Sequence, residues 1–532
     1  MLSFLRKTEQ FLLRIIEKIE NQKITLNNWL IGFLSIVFLR LLLESFSSKM
    51  NFFQKYSSII HATGFFFFWI LVIVLLLYIF TKEKIEKISK LALFAFLIIL
   101  LPPIVDLIVT GGKGGIRMHY IDLINQPKNV LDFLKLFGKF IFYGYQGIFF
   151  VGKHPDYLNI ESLTNNYGIR IQANLIILGI IWYIFLKTKN SFKALLSFLL
   201  FHFIFLAQNI PSFYFYNFRS SYLNPSFDHH CVFFSWYFIC ICFLSLIWFF
   251  VYNKNQCLSL LKNLRITRTL QNIAMLGFGL YLARINFSKL QFQDWMLIIV
   301  AFLSLLFYWL AAIGYNDISD EKEDKISNPD RPLCQNKFSQ EEMKNLSNIF
   351  LIISYLSAFL VGYFFLIFIF MRSLLGYLYN NYPFKLKRFP FLASSTKSLA
   401  YLFTIYAGFL INNSNSFFNF PKKLAWFIFF AFTLGVNIKD IKDYEGDKSA
   451  KIYTIPVIFG LDRGKKIIAV LTSIPFFLVP IFFLKNFNKL IFPSVLTGIL
   501  IYWLIIRKNY NEKLIFLIYF IYGIFLSIVI FN

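Results

Sequence analysis

QFQDWMLIIVAFLSLLFYWLAAIGYNDISDEKED, residues 291–324, opens with an apolar run over 293–314 and ends in a cluster of carboxylates. About twenty apolar residues in succession is the length a helix needs to cross the hydrocarbon of a bilayer. Comparable runs lie near 28–46, 59–80, 90–110, 169–187, 192–211 and 232–253. Beyond a polar break they return near 270–286, 293–314, 345–361, 363–379, 393–411, 423–437, 465–484, 488–506 and 513–531. The pattern predicts an all-α integral membrane protein of about fifteen spans, six in the first half and nine in the second. A composition that is 58% hydrophobic and 15% charged excludes a soluble fold.

The break, NKNQCLSLLKNLRITRT over 253–269, marks the expected domain boundary, with an accessory membrane domain at 1–253 and a second domain at 254–532. Lys and Arg outnumber Asp and Glu by 53 to 27, but the surplus sits at the ends of apolar runs, where it fixes orientation in the membrane. The partners this implies are membrane lipids, not nucleic acid. In the second half the connections at 315–344, 380–397, 438–466 and 507–513 hold nineteen Lys and Arg. The opposite connections hold Arg284, Lys289, Lys422, Lys423, Lys485 and Lys489, so the first set is expected on the cytoplasmic side. Residues 1–23 read as a charged amphipathic helix, not a cleavable signal peptide. The stretch 111–168 offers one short apolar run at 140–151, suited to an interfacial or re-entrant segment; alternatively 90–110, broken by Pro102 and Pro103, dips in and returns.

Asn316, Asp320 and Asp324 follow one another at spacings of four, with Asp317 beside them, so a continuous helix would project them from one face. Carboxylates so crowded repel one another unless a divalent cation neutralises them, and hard oxygen ligands suit magnesium, which commonly bridges to substrate phosphates. A second cluster, NIKDIKDYEGDKSAKIYTIPVIFG, spaces Asp440, Asp443 and Asp447 three and then four apart at the same end of the membrane helices. One such motif alone is as well explained by a solvated loop paired with nearby lysines. Two at matching depth read as a site.

These residues resemble the UbiA superfamily of intramembrane prenyltransferases, over about 262–532. Asn316, Asp317, Asp320, Asp324, Arg331 and Pro332 match the family's NDxxDxxxD followed by RP, and Lys439, Asp440, Asp443, Gly446, Asp447, Thr454, Pro456 and Gly460 match KDxxDxxGD followed by TxPxxxG. YPFKLKRFP, from Tyr382 to Pro390, is similar to the family's Tyr- and Lys-rich segment, and Arg268 stands where the family has a basic residue before its first helix. Thr269, where a Pro is frequent, and Cys334-Gln335-Asn336 after the RPL depart from the pattern.

The resemblance implies a nine-helix prenyltransferase domain that transfers a prenyl group from an isoprenoid diphosphate to a lipid, quinone-precursor or other hydrophobic or amphipathic acceptor. It implies Mg2+ held among Asn316, Asp317, Asp320, Asp324, Asp440, Asp443 and Asp447, with the six aspartates as the catalytic set. Arg268, Asn316, Arg331, Tyr382, Lys387 and Arg388 would bind substrate, joined more weakly by Lys385 and Tyr379. The competing expectation is a non-catalytic transporter or scaffold that holds a cation at the acidic clusters.

Other signals count for less. Asp228, His229, His230 and Cys231 spell DHHC without the Cys-rich zinc segment that protein S-acyltransferases require, and GGKGG at 111–115 lacks the strand and the Lys-Ser/Thr of a phosphate loop. Asp106, Arg117, His119, His154 and Asp156 of the first half form no spacing that a reaction demands.

Overall fold

The computed structural model describes residues 2–48, 56–110, 167–207, 221–225, 227–285, 287–381, 383–412, 416–449, 452–507 and 511–531. Tyr382 and the segment holding GGKGG, Arg117, His119, His154 and Asp156 lie outside the described residues. Every regular element among the described residues is helical. Two compact units form, one from Met1–Ser220 with Asp228–Lys254, the other from Ser221–Phe227 with Asn255–Asn532.

The first unit contains α1 (Leu2–Glu20), α2 (Leu26–Ser48), α3 (Tyr56–Thr81), α4 (Ile85–Ala95), α5 (Leu101–Thr110), α6 (Tyr167–Thr188), α7 (Ser191–Ala207) and α8 (His229–Tyr252). Residues 85–110 run on as one helical segment through a 3₁₀ turn at Phe96–Leu100, so Pro102 and Pro103 do not reverse the chain. They enter in the first turn of α5, where a missing N–H is tolerated. Glu20 ties α1 to α6 by accepting from the Tyr183 hydroxyl at 2.9 Å and the Lys187 ammonium at 3.0 Å. Asp228 of the DHHC sequence caps α8, accepting from the Cys231 N–H at 3.0 Å.

The second unit is built on α9 (Ile266–Leu282), α10 (Phe292–Ser319), α11 (Gln340–Val361), α12 (Tyr363–Asn380), α13 (Pro390–Phe409), α14 (Lys422–Gly435), α15 (Leu461–Phe482), α16 (Phe487–Ile506) and α17 (Glu512–Phe531). Among the described residues of both units, twelve helices are long and apolar enough to cross a membrane. The helices α7, α9 and α13, which would complete the expected fifteen, are shorter or more polar than that measure demands.

Helix starts follow their sequence signals. Ser339 and Glu342 form a reciprocal capping box at α11, with the Ser339 hydroxyl accepting from the Glu342 N–H at 3.1 Å and the Glu342 carboxylate accepting from the Ser339 N–H at 2.9 Å. Asp294, fully buried in the first turn of α10, accepts from the Gln291 N–H at 2.9 Å, the Ser221 hydroxyl at 2.5 Å and the Leu223 N–H at 3.1 Å. That carboxylate is the anchor by which residues 221–227 join this unit.

Lipid tails are as apolar as leucine, so helices in a bilayer associate through close packing and interhelical hydrogen bonds. Ser304 of α10 and Ser354 of α11 each donate to the other's carbonyl at 2.8 Å. The α9–α13 crossing is tighter still. A Cβ on Gly279 would collide with the Ile405 carbonyl, and one on Gly408 with the Leu276 carbonyl. Replacing Gly279 or Gly408 by Leu is expected to lower stability by roughly 1–3 kcal/mol through overpacking, read as a fall in thermal midpoint in detergent. Gly277→Ala, where a new Cβ meets nothing within 4 Å, should stay near wild type.

Candidate active site

The first acidic motif begins in the last turn of α10, and the second follows the end of α14. The backbone of Asp320 leaves the helical region (φ −108°, ψ 12°), so α10 stops there and a second helix, Glu321–Ser327, sets off afresh. Across the break Asp324 still shares Arg331 with Asp317. Asn316 and Asp320 remain neighbours, with the Asn316 amide donating to the Asp320 carboxylate at 3.0 Å. The second motif spans a 3₁₀ segment, Val436–Ile441, and a short helix, Tyr444–Ser449. That helix packs against Glu321–Ser327, bringing the two motifs together.

Asp317, Asp320 and Asp324 are each matched by a base, two of them from distant parts of the chain. Asp317, 1% exposed, accepts from Arg265 and, at 2.7 Å, from the Asn263 amide, with Arg331 at 3.4 Å. Asp324 pairs with Arg331, and Asp320 with Lys387. The charges of Asp317, Asp320 and Asp443 all act on both Arg265 and Arg331, so the two motifs face one pair of guanidiniums. Burial and the neighbouring Arg265 charge push Arg331 down to about 10. Burial, followed by repulsion from Asp440 and Asp443, raises the Asp447 carboxyl to about 7.

Of the sequence-predicted residues, Asn316, Asp317, Asp320, Asp324, Arg331 and Lys387 come into direct contact with one another or share partners. Arg268 turns toward Glu512, 3.8 Å away, and Arg388 lies half-buried on the same turn as Lys387. Thr269 uses its hydroxyl to accept from the Trp309 indole at 2.9 Å and to donate to the Leu264 carbonyl at 2.5 Å, a pair of tethers that proline lacks.

Arg265 and Asn263 escaped the sequence reading. Their one signal was basic and amide residues just ahead of a span, which orientation in the membrane equally explains. Arg265 reaches Asp317 from a left-handed backbone conformation (φ 50°) that nothing in its sequence announces.

Beneath this charged end opens a cavity of about 1300 Å³. Arg265, Arg268, Asn316 and Lys439 stand at its mouth, and its walls run down α9 and along α17 from Lys513 to Ile530. The seventeen helical rises from Lys513 to Ile530 carry the cavity about 26 Å, nearly the thickness of the hydrocarbon. The walls are predominantly apolar, with rings such as Phe278, Phe427 and Phe476. Tyr379 also lines it, with the Lys397 ammonium 4.8 Å from its ring centre.

Among the described residues no three His, Cys, Asp or Glu side chains form a ready-made metal cage. Magnesium needs none, since it retains waters and takes one or two carboxylates together with phosphate oxygens. The crowding of Asp440 and Asp443 near the buried Asp447, which with burial raises its carboxyl, and the all-oxygen donor set fit such an ion.

The cavity, apolar along its walls and lined at one end by Arg265, Arg268, Asn316 and Lys439, thus opens where the first and second acidic motifs meet. Residues 278–524, somewhat under half of the chain, match the UbiA prenyltransferase family. A digeranylgeranylglyceryl phosphate synthase of Methanobrevibacter smithii is 28% identical over 225 residues, 41% of this chain and 78% of the relative. One from Thermococcus sibiricus is 31% identical over 29% of this chain and 52% of its own length. The chain thus spans about half the length of that relative, and 63% of those from Methanosphaera stadtmanae and Saccharolobus solfataricus. A UbiA homologue of Archaeoglobus fulgidus, solved with GPP and Mg2+, is 20% identical with a TM-score of 0.42, covering 51% of this chain and 98% of that one.

Arg265→Met removes the closest charged partner of the buried Asp317, whereas Asn263→Ala removes one neutral donor from the same group. The first is expected to cost roughly 3 kcal/mol or more of stability and the second about 1. Denaturation of the two variants in matched detergent checks the order.

Proposed function

We propose that the second unit transfers a prenyl group from a long isoprenoid diphosphate to the free hydroxyl of a prenylated glycerol phosphate, with magnesium, releasing diphosphate. The observation that carries this reading is the continuity between the charged mouth and the apolar cavity, which suits a diphosphate head and an isoprenoid tail at once. The names of the archaeal relatives supply the acceptor class. Asn316, Asp317, Asp320, Asp324, Asp440, Asp443 and Asp447 are the set from which ligands for magnesium would come; when bound, the ion supplies positive charge to the leaving diphosphate.

Arg265, Arg331 and Lys387 hold the carboxylates in the resting arrangement. Their donors are preorganised to turn to diphosphate oxygens, whose charge grows as the bond to C1 breaks. The electron pair of that bond leaves on the diphosphate, and the apolar walls keep water from the allylic carbon. Ring faces along the cavity stabilise the developing cation. An acceptor oxygen then gives its lone pair to C1, and its proton passes to the departing diphosphate or to solvent.

The same reading puts the acidic motifs on the cytoplasmic side, supported by the nineteen Lys and Arg on the connections at that end. The first unit serves as an accessory membrane domain.

With the full chain in nanodiscs, geranylgeranyl diphosphate and geranylgeranylglyceryl phosphate should yield the doubly prenylated product by mass spectrometry, and chelation of magnesium should abolish it. Asp320→Ala and Asp443→Ala, compared with wild type at matched folded fraction, should each reduce turnover at least a thousandfold. Wild-type turnover in either variant at saturating magnesium would overturn the assignment of that motif. Cysteines placed at Asn336 and Lys448 should label from the cytoplasmic face; labelling from the other face reverses the orientation.

A further inference from the structure

The charged mouth is not the only polar feature of the cavity. Arg372 sits within α12, eight residues before Asn380, hence about 12 Å below the mouth at the level of the backbone. It is 3% exposed and lines the cavity together with Tyr308. Its guanidinium donates to the Asn272 amide oxygen on α9 and the Thr404 hydroxyl on α13, and its carbon lies 4.9 Å from the centre of the Tyr308 ring. Among the described residues no carboxylate pairs with it, and its Nε–H has no hydrogen-bond partner. Asn272 is one helical turn beyond Arg268, so the head of Arg372 reaches to about 6 Å beneath the mouth.

A cation at membrane depth is costly, and a buried charge is normally matched by an opposite one. Two neutral oxygens and a ring face offset only part of that cost here. A purely structural linker between α9, α12 and α13 would be served by a neutral side chain, whereas this one is a cation on a cavity-lining residue, with a buried Nε–H left unpaired. The bases that hold the first acidic motif, Arg265, Arg331 and Lys387, each have a carboxylate beside them.

We propose that Arg372, oriented by Asn272 and Thr404, is the recognition point for an anionic oxygen on the acceptor. This rests on the prenyl-transfer reading above and specifies how that site selects its second substrate. A phosphate docked from the cavity against the Arg372 guanidinium leaves the neighbouring glycerol hydroxyl, a few bonds away, between Arg372 and the diphosphate mouth, where C1 of the donor arrives. A neutral acceptor leaves the guanidinium uncompensated and is rejected for that reason.

The test compares full-length wild type with Arg372→Gln, Arg372→Lys and Asn272→Ala in nanodiscs at matched folded fraction. The readouts are donor KM, magnesium-dependent hydrolysis of geranylgeranyl diphosphate without acceptor, and transfer to geranylgeranylglyceryl phosphate and to its dephosphorylated analogue. Arg372→Gln should raise the acceptor KM at least tenfold, keep the donor KM within twofold and use the two acceptors alike. Arg372→Lys and Asn272→Ala should be intermediate, and if Arg372→Gln does not fold these two carry the comparison. The proposal fails if wild type does not discriminate between the acceptors, or if donor and acceptor parameters fall together in the variants. Hydrolysis without transfer to either acceptor would defeat this proposal while sparing the donor site; no hydrolysis and no transfer would defeat the prenyl-transfer reading itself.

Discussion

Carboxylates buried at the edge of a membrane must be compensated, and the second unit is organised around meeting that demand. Asp317 is almost wholly enclosed, and Asp324 and Asp440 nearly so. A lone buried carboxylate would take up a proton or drive the segment into water. Instead Arg265 comes from the polar segment ahead of α9, Arg331 from the loop after the first motif, and Lys387 from the turn before α13. The bases are therefore contributed by segments far apart in sequence, and pairing them fixes the relative positions of the helix ends they precede or follow.

That same pairing leaves the helices below free to diverge. Small residues bring α9 against α13 and α10 against α11 at close range, while the space bounded by α9, α14, α15 and α17 stays open as the cavity. Close crossings on one side and an unfilled interior on the other produce a container for a flexible chain, capped by a fixed array of charge. An apolar tail needs only volume and dryness. The phosphorylated head needs donors in definite places, and these belong to the elements locked together by ion pairs.

How far the sequence could be read follows from where each constraint acts. The membrane helices were legible because lipid imposes length and apolarity on each one separately, and the acidic motifs because their spacing is local. The break at Asp320 was not, since spacing by four describes an unbroken helix and gives no hint of where the backbone departs from it. Arg265 was hidden for another reason: beside a span, a basic residue has a topological explanation that needs no site. Arg372 lay in an apolar run read as a plain crossing, although a single arginine there was itself a signal. Its partners Asn272 and Thr404 are 100 and 32 residues away, and only packing reveals them.

The attachment of residues 221–227 through Asp294 bears on the order of assembly. The ribosome delivers this segment before α8 and before any long helix of the unit to which it belongs. Its Ser221 and Leu223 donors must wait for α10 to emerge, and Asn224, which donates to the Val361 carbonyl at 3.0 Å, must wait for the end of α11. The chain leaves one unit for seven residues, returns to it for α8, and then leaves for good. A gene cut at the polar break would thus sever the second unit from a piece of itself, and a nascent chain paused there would hold an unfinished clasp.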